Sequence, residues 1–151
     1  MILAEDPFVG KSFMKEKVFV DTNIIFYAHD QKSPKKQVIA SNLIQKLWQS
    51  KELPLISVQV LQELFVNLTK HIKTSEAETV IDLYRHWEVI ENSVSIFNFA
   101  IRILKTDKIS FWDSLIVSAA HYGKAKVIYS EDLNHGQVIQ GVKILNPFQN
   151  S

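Results

Sequence analysis

Short apolar runs recur along the chain, and each is separated from the next by polar residues and a longer stretch of mixed character. A short, continuous apolar run that is bounded by polar or turn-forming residues is typical of a buried strand. The pattern predicts strands at Val18-Phe19-Val20, Leu53 to Ser57, Trp87 to Ile90, Lys126 to Tyr129 and Val142 to Leu145.

Between these runs, apolar residues recur every three to four positions, as they do on one face of an α-helix. Serine residues stand where several helices would begin, and a serine hydroxyl there accepts a hydrogen bond from an unpaired backbone amide. The first three predicted helices are Ile24 to His29, a helix that starts at Ser33 and Pro34, and a helix that is capped by Ser57. The fourth is Thr74 to Arg85, with Ser75 and Glu78 as capping candidates. The last two run from Ser93 or Ser95 through Leu104, and from Phe111 to His121 with Ser110 as the cap.

Strands that are separated by helices pair in parallel through right-handed crossovers. We therefore predict an α/β fold, a three-layer sandwich around a short, mainly parallel five-stranded sheet. The length of 151 residues suits one domain, which we expect to span residues 14–151 after an N-terminal extension of residues 1–13. In sheets of this kind, ligands bind beyond the carboxyl ends of the strands.

Composition narrows the class of protein. Cysteine is absent, which excludes a disulfide framework or a thiolate metal site and fits a reducing compartment. The 17 basic and 16 acidic side chains leave a net charge of +1. A protein that coats nucleic acid nonspecifically would be strongly basic. We find no bilayer-spanning apolar segment and no signal-peptide pattern, so we expect a soluble, cytoplasmic protein.

Four acidic residues stand where the predicted fold would bring side chains together. Asp21 directly follows the first strand, and Asp132 follows the fourth strand after a short step. If these two strands are neighbours, both carboxylates face the same crevice. Glu63 lies on the polar stripe of its helix, and Asp113 lies in the first turn of a helix whose small residues allow close approach to the sheet.

Each acid taken alone also has a purely structural explanation. Asp21 suits a helix cap, and Asp113 suits the positive end of a helix dipole. Glu63 suits a solvated helix face, and Asp132 suits a turn. Their shared placement favours a functional role over four separate structural roles. Like charges ~4 Å apart repel by about 4 kcal/mol at an effective dielectric constant of about 20, so gathering them lowers stability. A divalent cation relieves that repulsion, and oxygen ligands suit Mg²⁺ or Mn²⁺.

Four segments resemble the motifs of PIN domains, in the same order and on the same kinds of element. They read VFVDTN at 18–23, VLQEL at 60–64, FWDSLI at 111–116 and VIYSEDL at 127–133. The resemblance extends from Val18 to Pro147, nearly the whole chain. The Glu131-Asp132-Leu133 stretch, with Gly136 and the terminal Asn146-Pro147-Phe148, is similar to a bacterial subset of PIN proteins related to VapC-type toxins.

This resemblance implies a divalent-metal-dependent endoribonuclease. Asp21, Glu63 and Asp113 would hold Mg²⁺ or Mn²⁺, and Asp132 would hold it directly or through water. Metal-activated water would attack an RNA phosphodiester and leave a 5′-phosphate. The residues implied to orient the carboxylates are Thr22, Asn23 and Ser130.

The resemblance also implies partners. The chain would be the toxin of a type II toxin–antitoxin pair, with a small antitoxin protein as partner, and would form a homodimer. A PIN nuclease of RNA processing would have the same residues. A non-catalytic PIN-fold nucleic-acid-binding module would lack one or more of the acids, and none is missing. A haloacid-dehalogenase-type phosphatase needs a second Asp where Asn23 stands.

Four residues in or near these motifs leave alternatives. Phe111 and Trp112 suit either stacking on bases or packing in the core, and general burial habits favour the core. Glu131 competes with Asp132 for the inward position, and the S-x-D spacing favours Asp132. His135 suits a turn better than a contact with substrate.

Overall fold

A computed structural model describes residues 16–149 as six strands and six helices. The predicted N-terminal extension of residues 1–13 lies outside the described residues. The strands are β1 Val18–Val20, β2 Leu55–Ser57, β3 Glu88–Ile90, β4 Val127–Tyr129, β5 Val138–Ile139 and β6 Val142–Leu145. The helices are α1 Thr22–Ala28, α2 Pro34–Trp48, α3 Val58–Thr69, α4 Thr74–Tyr84, α5 Val94–Asp107 and α6 Phe111–Tyr122.

The strands form one mixed sheet in the order β3-β2-β1-β4-β6-β5. All neighbouring strands are parallel except β5 and β6, which are antiparallel. The predicted α/β class and mainly parallel sheet are confirmed. The predicted number of five strands is wrong by one, because the apolar run of β5 is only two residues long, which is too short to indicate a strand.

A tight turn explains the additional strand. Gln140 and Gly141 join β5 to β6, and both have positive φ, at 52° and 79°. Two-residue hairpins of type I′ need positive φ at both central positions. The turn therefore folds Val138–Ile139 back onto the edge strand, where Ile139 pairs with Val142.

The centre of the sheet is β1, and all of its side chains are buried. Phe19 pairs with Leu55 of β2 on one side and with Ile128 of β4 on the other. Helix α6 packs against β2 and β6, and α5 packs against α6. The small residues of α6 are buried, as close approach to the sheet requires; they are Ser114, Ser118, Ala119 and Ala120.

Serine caps set the starts of the helices that carry two of the acids. The hydroxyl of Ser57 accepts from Val60 N at the start of α3, and that of Ser110 accepts from Asp113 N at the start of α6. Ser93 rather than Ser95 caps α5 in the same way. These hydrogen bonds satisfy backbone amides that have no partner within the helix.

Two capping predictions need adjustment. Lys73 occupies the cap position of α4, with no side-chain hydrogen bond, so Ser75 and Glu78 were wrong candidates. Ser33 does precede Pro34 at the start of α2, but its side chain makes no capping bond there. Its hydroxyl instead donates to Asp30 Oδ2 at 3.0 Å. None of the helices within residues 16–149 combines the length and the apolar character that crossing a membrane would need.

Candidate active site

The carboxyl ends of β1 and β4 lie side by side and bring Asp21 next to Ser130. Val20 pairs with Tyr129 in the parallel register, and Asp21 N continues the ladder by donating to Tyr129 O at 2.9 Å. The Ser130 hydroxyl donates to Asp21 Oδ2 at 2.8 Å. Both side chains are buried, so the first predicted acid lies below the protein surface where these two strands end.

Asp21 is both a helix cap and a member of the acidic group. Its Oδ1 accepts a hydrogen bond of 2.7 Å from Thr22 N at the start of α1. Burial raises the pKa of Asp21 from 3.8 to about 7, although hydrogen bonds from Ser130 and Thr22 oppose the rise. Repulsion from Glu63 and Asp132 raises this pKa further. The charged form of the Asp21 carboxyl is therefore disfavoured unless a positive charge lies close to it.

Glu63 reaches the same region from α3. Thr22 Oγ1 donates to Glu63 Oε2 at 3.1 Å, and Gln59 Nε2 donates to Glu63 Oε1 at 2.7 Å. Gln59 Nε2 also lies 3.2 Å from Trp112 O in the first turn of α6. The side chain of Gln59 therefore joins α3 to α6, and together with Thr22 it fixes both carboxylate oxygens of Glu63.

Asp113 lies in the first turn of α6, where Ser110 accepts from its backbone amide. Its side chain is half-buried. Burial raises the pKa of Asp113, a hydrogen bond with Ser110 lowers it, and repulsion from Asp132 and Glu63 raises it. Asp113 is therefore close enough to Asp132 and Glu63 for their charges to affect its pKa.

A side chain of α1 holds the carboxylate of Asp132 in place. Asn23 Nδ2 donates to Asp132 Oδ2 at 2.9 Å, while Asn23 Oδ1 accepts from Glu131 N at 3.2 Å. The backbone amide of Asp132 donates to Ser130 Oγ at 3.2 Å. Asn23 and Ser130 thus fix the loop after β4 from two sides, and Asp132 stays exposed at its end.

Glu131 has different partners from its neighbour. It forms a salt bridge with Lys36 of α2, and Tyr27 OH donates to its Oε1 at 3.2 Å. Lys36 Nζ also lies 4.6 Å from the centre of the Tyr27 ring and 5.5 Å from that of Phe148. Sequence reasoning missed Lys36 and Tyr27, because no local motif marks residues whose partner lies about 100 positions away in the chain.

Glu63 and Asp132 each repel both Asp21 and Asp113. Within residues 16–149, none of them forms a salt bridge with a lysine, arginine or histidine. An all-oxygen set of carboxylates fits Mg²⁺ or Mn²⁺ in chemistry. The side chains are not in ligand geometry, however, since the described part of the chain contains no group of three or more Asp, Glu, His or Cys that could hold a metal. Instead, three of them accept hydrogen bonds from Ser130, Gln59 and Asn23.

The surroundings of three residues near the acids indicate their roles. Trp112 is 64% exposed, so the prediction that it packs in the core is wrong. Phe111 is half-buried and lies edge-on to Trp112, with ring centres 5.2 Å apart. His135 Nδ1 accepts from Asn146 N at 2.9 Å, which agrees with the predicted role in a turn.

Solved structures with a similar fold include a toxin and toxin–antitoxin complexes. VapC20 of Mycobacterium tuberculosis, a toxin that cleaves the sarcin-ricin loop, has a TM-score of 0.61 and 18% identity, and the match covers 77% of this chain and 90% of that chain. VapBC2 of Rickettsia felis, bound to a DNA fragment from its promoter, has a TM-score of 0.62 and 22% identity, with coverage of 84% and 96%. A toxin–antitoxin complex of Klebsiella pneumoniae has a TM-score of 0.63 and 17% identity, with coverage of 87% and 97%.

At these identities the similarity concerns the fold. None of the curated proteins matches the chain. The PIN domain family model, by contrast, matches residues 18–139, which include all four acids. The chain therefore belongs to the PIN domain family, and its structural neighbours are VapC toxins.

Proposed function

We propose that this protein is a divalent-metal-dependent endoribonuclease that hydrolyses RNA phosphodiesters. The observation that carries the proposal is the state of Asp21. It is buried, its pKa is raised to about 7, and it is repelled by Glu63 and Asp132. Like charges that lie close together lower the stability of the folded protein. A buried acid that is repelled by two others is therefore typical of a functional site.

Mg²⁺ or Mn²⁺ is the cofactor that the donor set suits, and Asp21, Glu63, Asp113 and Asp132 would hold it. A bound divalent cation supplies Lewis acidity, lowers the pKa of bound water and neutralises phosphate charge. The cation also explains how a chain with a net charge of only +1 would bind an RNA backbone beside four acids.

The protein's own contribution is to hold the carboxylates in place. Ser130 and the backbone amide of Thr22 each donate to one oxygen of Asp21. Asn23 donates to Asp132 and also ties down the neighbouring backbone. Hydrogen bonds to ligand carboxylates commonly change metal affinity or activity by about 10–100-fold when they are removed. We assign Thr22, Asn23 and Ser130 as positioning residues on this basis.

The same geometry supports catalysis over the alternative of a non-catalytic PIN-fold binding module. A module that only binds RNA has no need for mutually repelling acids next to phosphate, since they oppose binding. Four acids that carry no lysine or arginine partner within residues 16–149 are better explained by a cation and a reaction.

We further propose that the nuclease is the toxin of a type II toxin–antitoxin pair, with a small antitoxin as partner and a homodimer as the assembly. The support is the fold of the VapC toxins named above, 90–97% of whose chains the match covers. A PIN nuclease of RNA processing is the alternative. The toxin should arrest growth when expressed alone, and a small neighbouring gene should restore growth. If no neighbouring gene restores growth, the result would favour a PIN nuclease of RNA processing.

RNA cleavage with and without EDTA tests the catalytic proposal. Wild-type protein should cleave RNA with Mg²⁺ or Mn²⁺ and lose activity in EDTA, whereas Asp21→Asn should be inactive yet folded. Asp82→Asn is a matched control, because Asp82 pairs with Arg85 on α4 and should leave cleavage unchanged. Cleavage by Asp21→Asn at the wild-type rate would remove the proposed mechanism.

A further inference from the structure

A cavity of 240 Å³ opens between α3, the start of α5 and the first turn of α6. Its wall combines aromatic rings with side-chain amides. The residues on which the following argument depends are Phe97, Phe111, Trp112, Gln59, Gln62 and Asn92.

Two of the three aromatic side chains that line this cavity are exposed. Trp112 is 64% exposed and Phe97 is 46% exposed. Phe111 lies between them, with ring centres 5.2 Å from Trp112 and 5.8 Å from Phe97, both in edge-to-face contact. Edge-to-face contacts support the rings while much of the Trp112 surface stays open to solvent. Exposed aromatic side chains of this kind mark binding surfaces.

The polar part of the wall selects the kind of ligand. No residue that lines the cavity carries a charge, so phosphate is a poor occupant. Gln62 and Asn92 offer amide groups, which both donate and accept hydrogen bonds. A flat, neutral ring with donors and acceptors on its edge matches this combination, and unpaired nucleobases have that chemistry.

Gln59 connects the cavity to the acids. Its amide lines the cavity and donates to Glu63 Oε1 at 2.7 Å, and the same nitrogen lies 3.2 Å from Trp112 O. Trp112 is also the residue directly before Asp113. A nucleotide whose phosphate lies at the acids would therefore have the base of an adjacent nucleotide at this cavity.

We propose that an unpaired base of single-stranded RNA stacks on Trp112 in this cavity, with amide groups of Gln62 and Asn92 binding its edge. The proposal rests on the proposed ribonuclease function and names the form of its substrate. Stacking accepts any base, and the amides add a preference among bases. Duplex RNA keeps its bases stacked inside the helix and would not fill the cavity.

Binding of a single-stranded RNA oligonucleotide to the Asp21→Asn protein tests the inference without cleavage. Trp112→Ala should weaken binding by about 5- to 150-fold, the range for loss of one stacked base. Trp112→Phe should keep most of the affinity, because it retains an aromatic face. Tyr122→Ala is the matched control: Tyr122 is also 64% exposed and lies in α6, but at its other end. It should bind as the parent does.

Equal RNA affinity of the Trp112→Ala and Tyr122→Ala proteins would overturn the base-binding cavity. So would unchanged binding of an oligonucleotide that lacks its bases. A Trp112→Ala protein that binds RNA normally but changes oligomeric state would also overturn it, and would identify the surface as a protein interface. RNA cleavage by the wild-type protein is measured separately. If the wild-type protein binds RNA through Trp112 but does not cleave it, the result would contradict only the proposed function.

Discussion

Ser130 Oγ donates a hydrogen bond of 2.8 Å to Asp21 Oδ2, across the ends of two adjacent parallel strands. The same oxygen accepts from Asp132 N at 3.2 Å and from Leu133 N at 3.4 Å. One buried hydroxyl therefore links the first acid to the backbone that carries the last one. This relationship makes Ser130 a testable positioning residue.

Ser130→Ala should lower both activity and stability. Removing a buried hydroxyl leaves its partners unsatisfied and costs about 1–3 kcal/mol in the free energy of unfolding. Cleavage should fall by about 10–100-fold, because Asp21 loses a hydrogen bond that orients it. Denaturant unfolding and RNA cleavage measure the two effects.

Ser118→Ala is the control for this prediction. Ser118 is a buried serine on α6, and its hydroxyl donates to Ile96 O at 2.8 Å. This substitution should lower the free energy of unfolding similarly and leave cleavage unchanged. If both variants lose activity equally, the effect is one of stability alone and Ser130 has no positioning role.

The raised pKa of Asp21 predicts a pH dependence of stability in the metal-free protein. Between pH 3.8 and about 7 the folded state holds a proton on Asp21 that the unfolded state has lost. The free energy of unfolding therefore decreases as the pH rises through this range. Above it, the loss is on the order of 4 kcal/mol. Asp21→Asn removes this titration and should be more stable than wild type at high pH.

Denaturant unfolding in EDTA at about pH 5 and about pH 8 measures the difference. The free energy of unfolding of Asp21→Asn should exceed that of wild type by more at the higher pH. Asp82→Asn should show no such change, since Asp82 is exposed and paired with Arg85. An advantage of the same size at both pH values would contradict the assigned cause.

Divalent metal should reverse the electrostatic destabilisation. Mg²⁺ or Mn²⁺ at a hundredfold excess over its Kd should raise the free energy of unfolding by about 2.7 kcal/mol. The same addition should have little effect on Asp21→Asn, which lacks one carboxylate of the group. Thermal unfolding with and without metal measures this. Equal stabilisation of both proteins would place the metal elsewhere.

The adjacent residues Glu131 and Asp132 should behave differently. Asp132→Asn should lower cleavage by about 10–100-fold, because this carboxylate is close enough to Asp21 and Asp113 to repel both. Glu131→Gln should leave cleavage close to the wild-type rate, because Glu131 pairs with Lys36 and Tyr27. RNA cleavage by both variants under the same conditions is the measurement. The reverse order of effects would assign the inward position to Glu131.

Local patterns predicted much of this structure. The short apolar runs marked β1, β2, β3, β4 and β6, and Ser57 and Ser110 marked the starts of α3 and α6. These features depend on neighbouring residues in the chain, as strand burial and helix capping do. Three of the acids stand at or near predicted element ends, and Glu63 stands on the polar stripe of a predicted helix, which is why the sequence pointed to them.

Other features depend on residues that are distant in the chain. Lys36 meets Glu131 only because the order of the strands brings the loop after β4 beside α1 and α2. The exposure of Trp112 depends on which side of α6 faces the sheet and on where α5 packs. Likewise, β5 exists because a two-residue turn finds the edge of β6.

The amino-acid sequence alone determined the α/β class and most of the strands and helices, and it singled out the four acids as candidates. Only the tertiary structure decided that Ser130 holds Asp21, that Glu131 pairs away from the acids and that Trp112 faces solvent. The physical reason is range: periodicity and capping act within a few residues, whereas hydrogen bonding, burial and charge repulsion depend on which distant elements become neighbours.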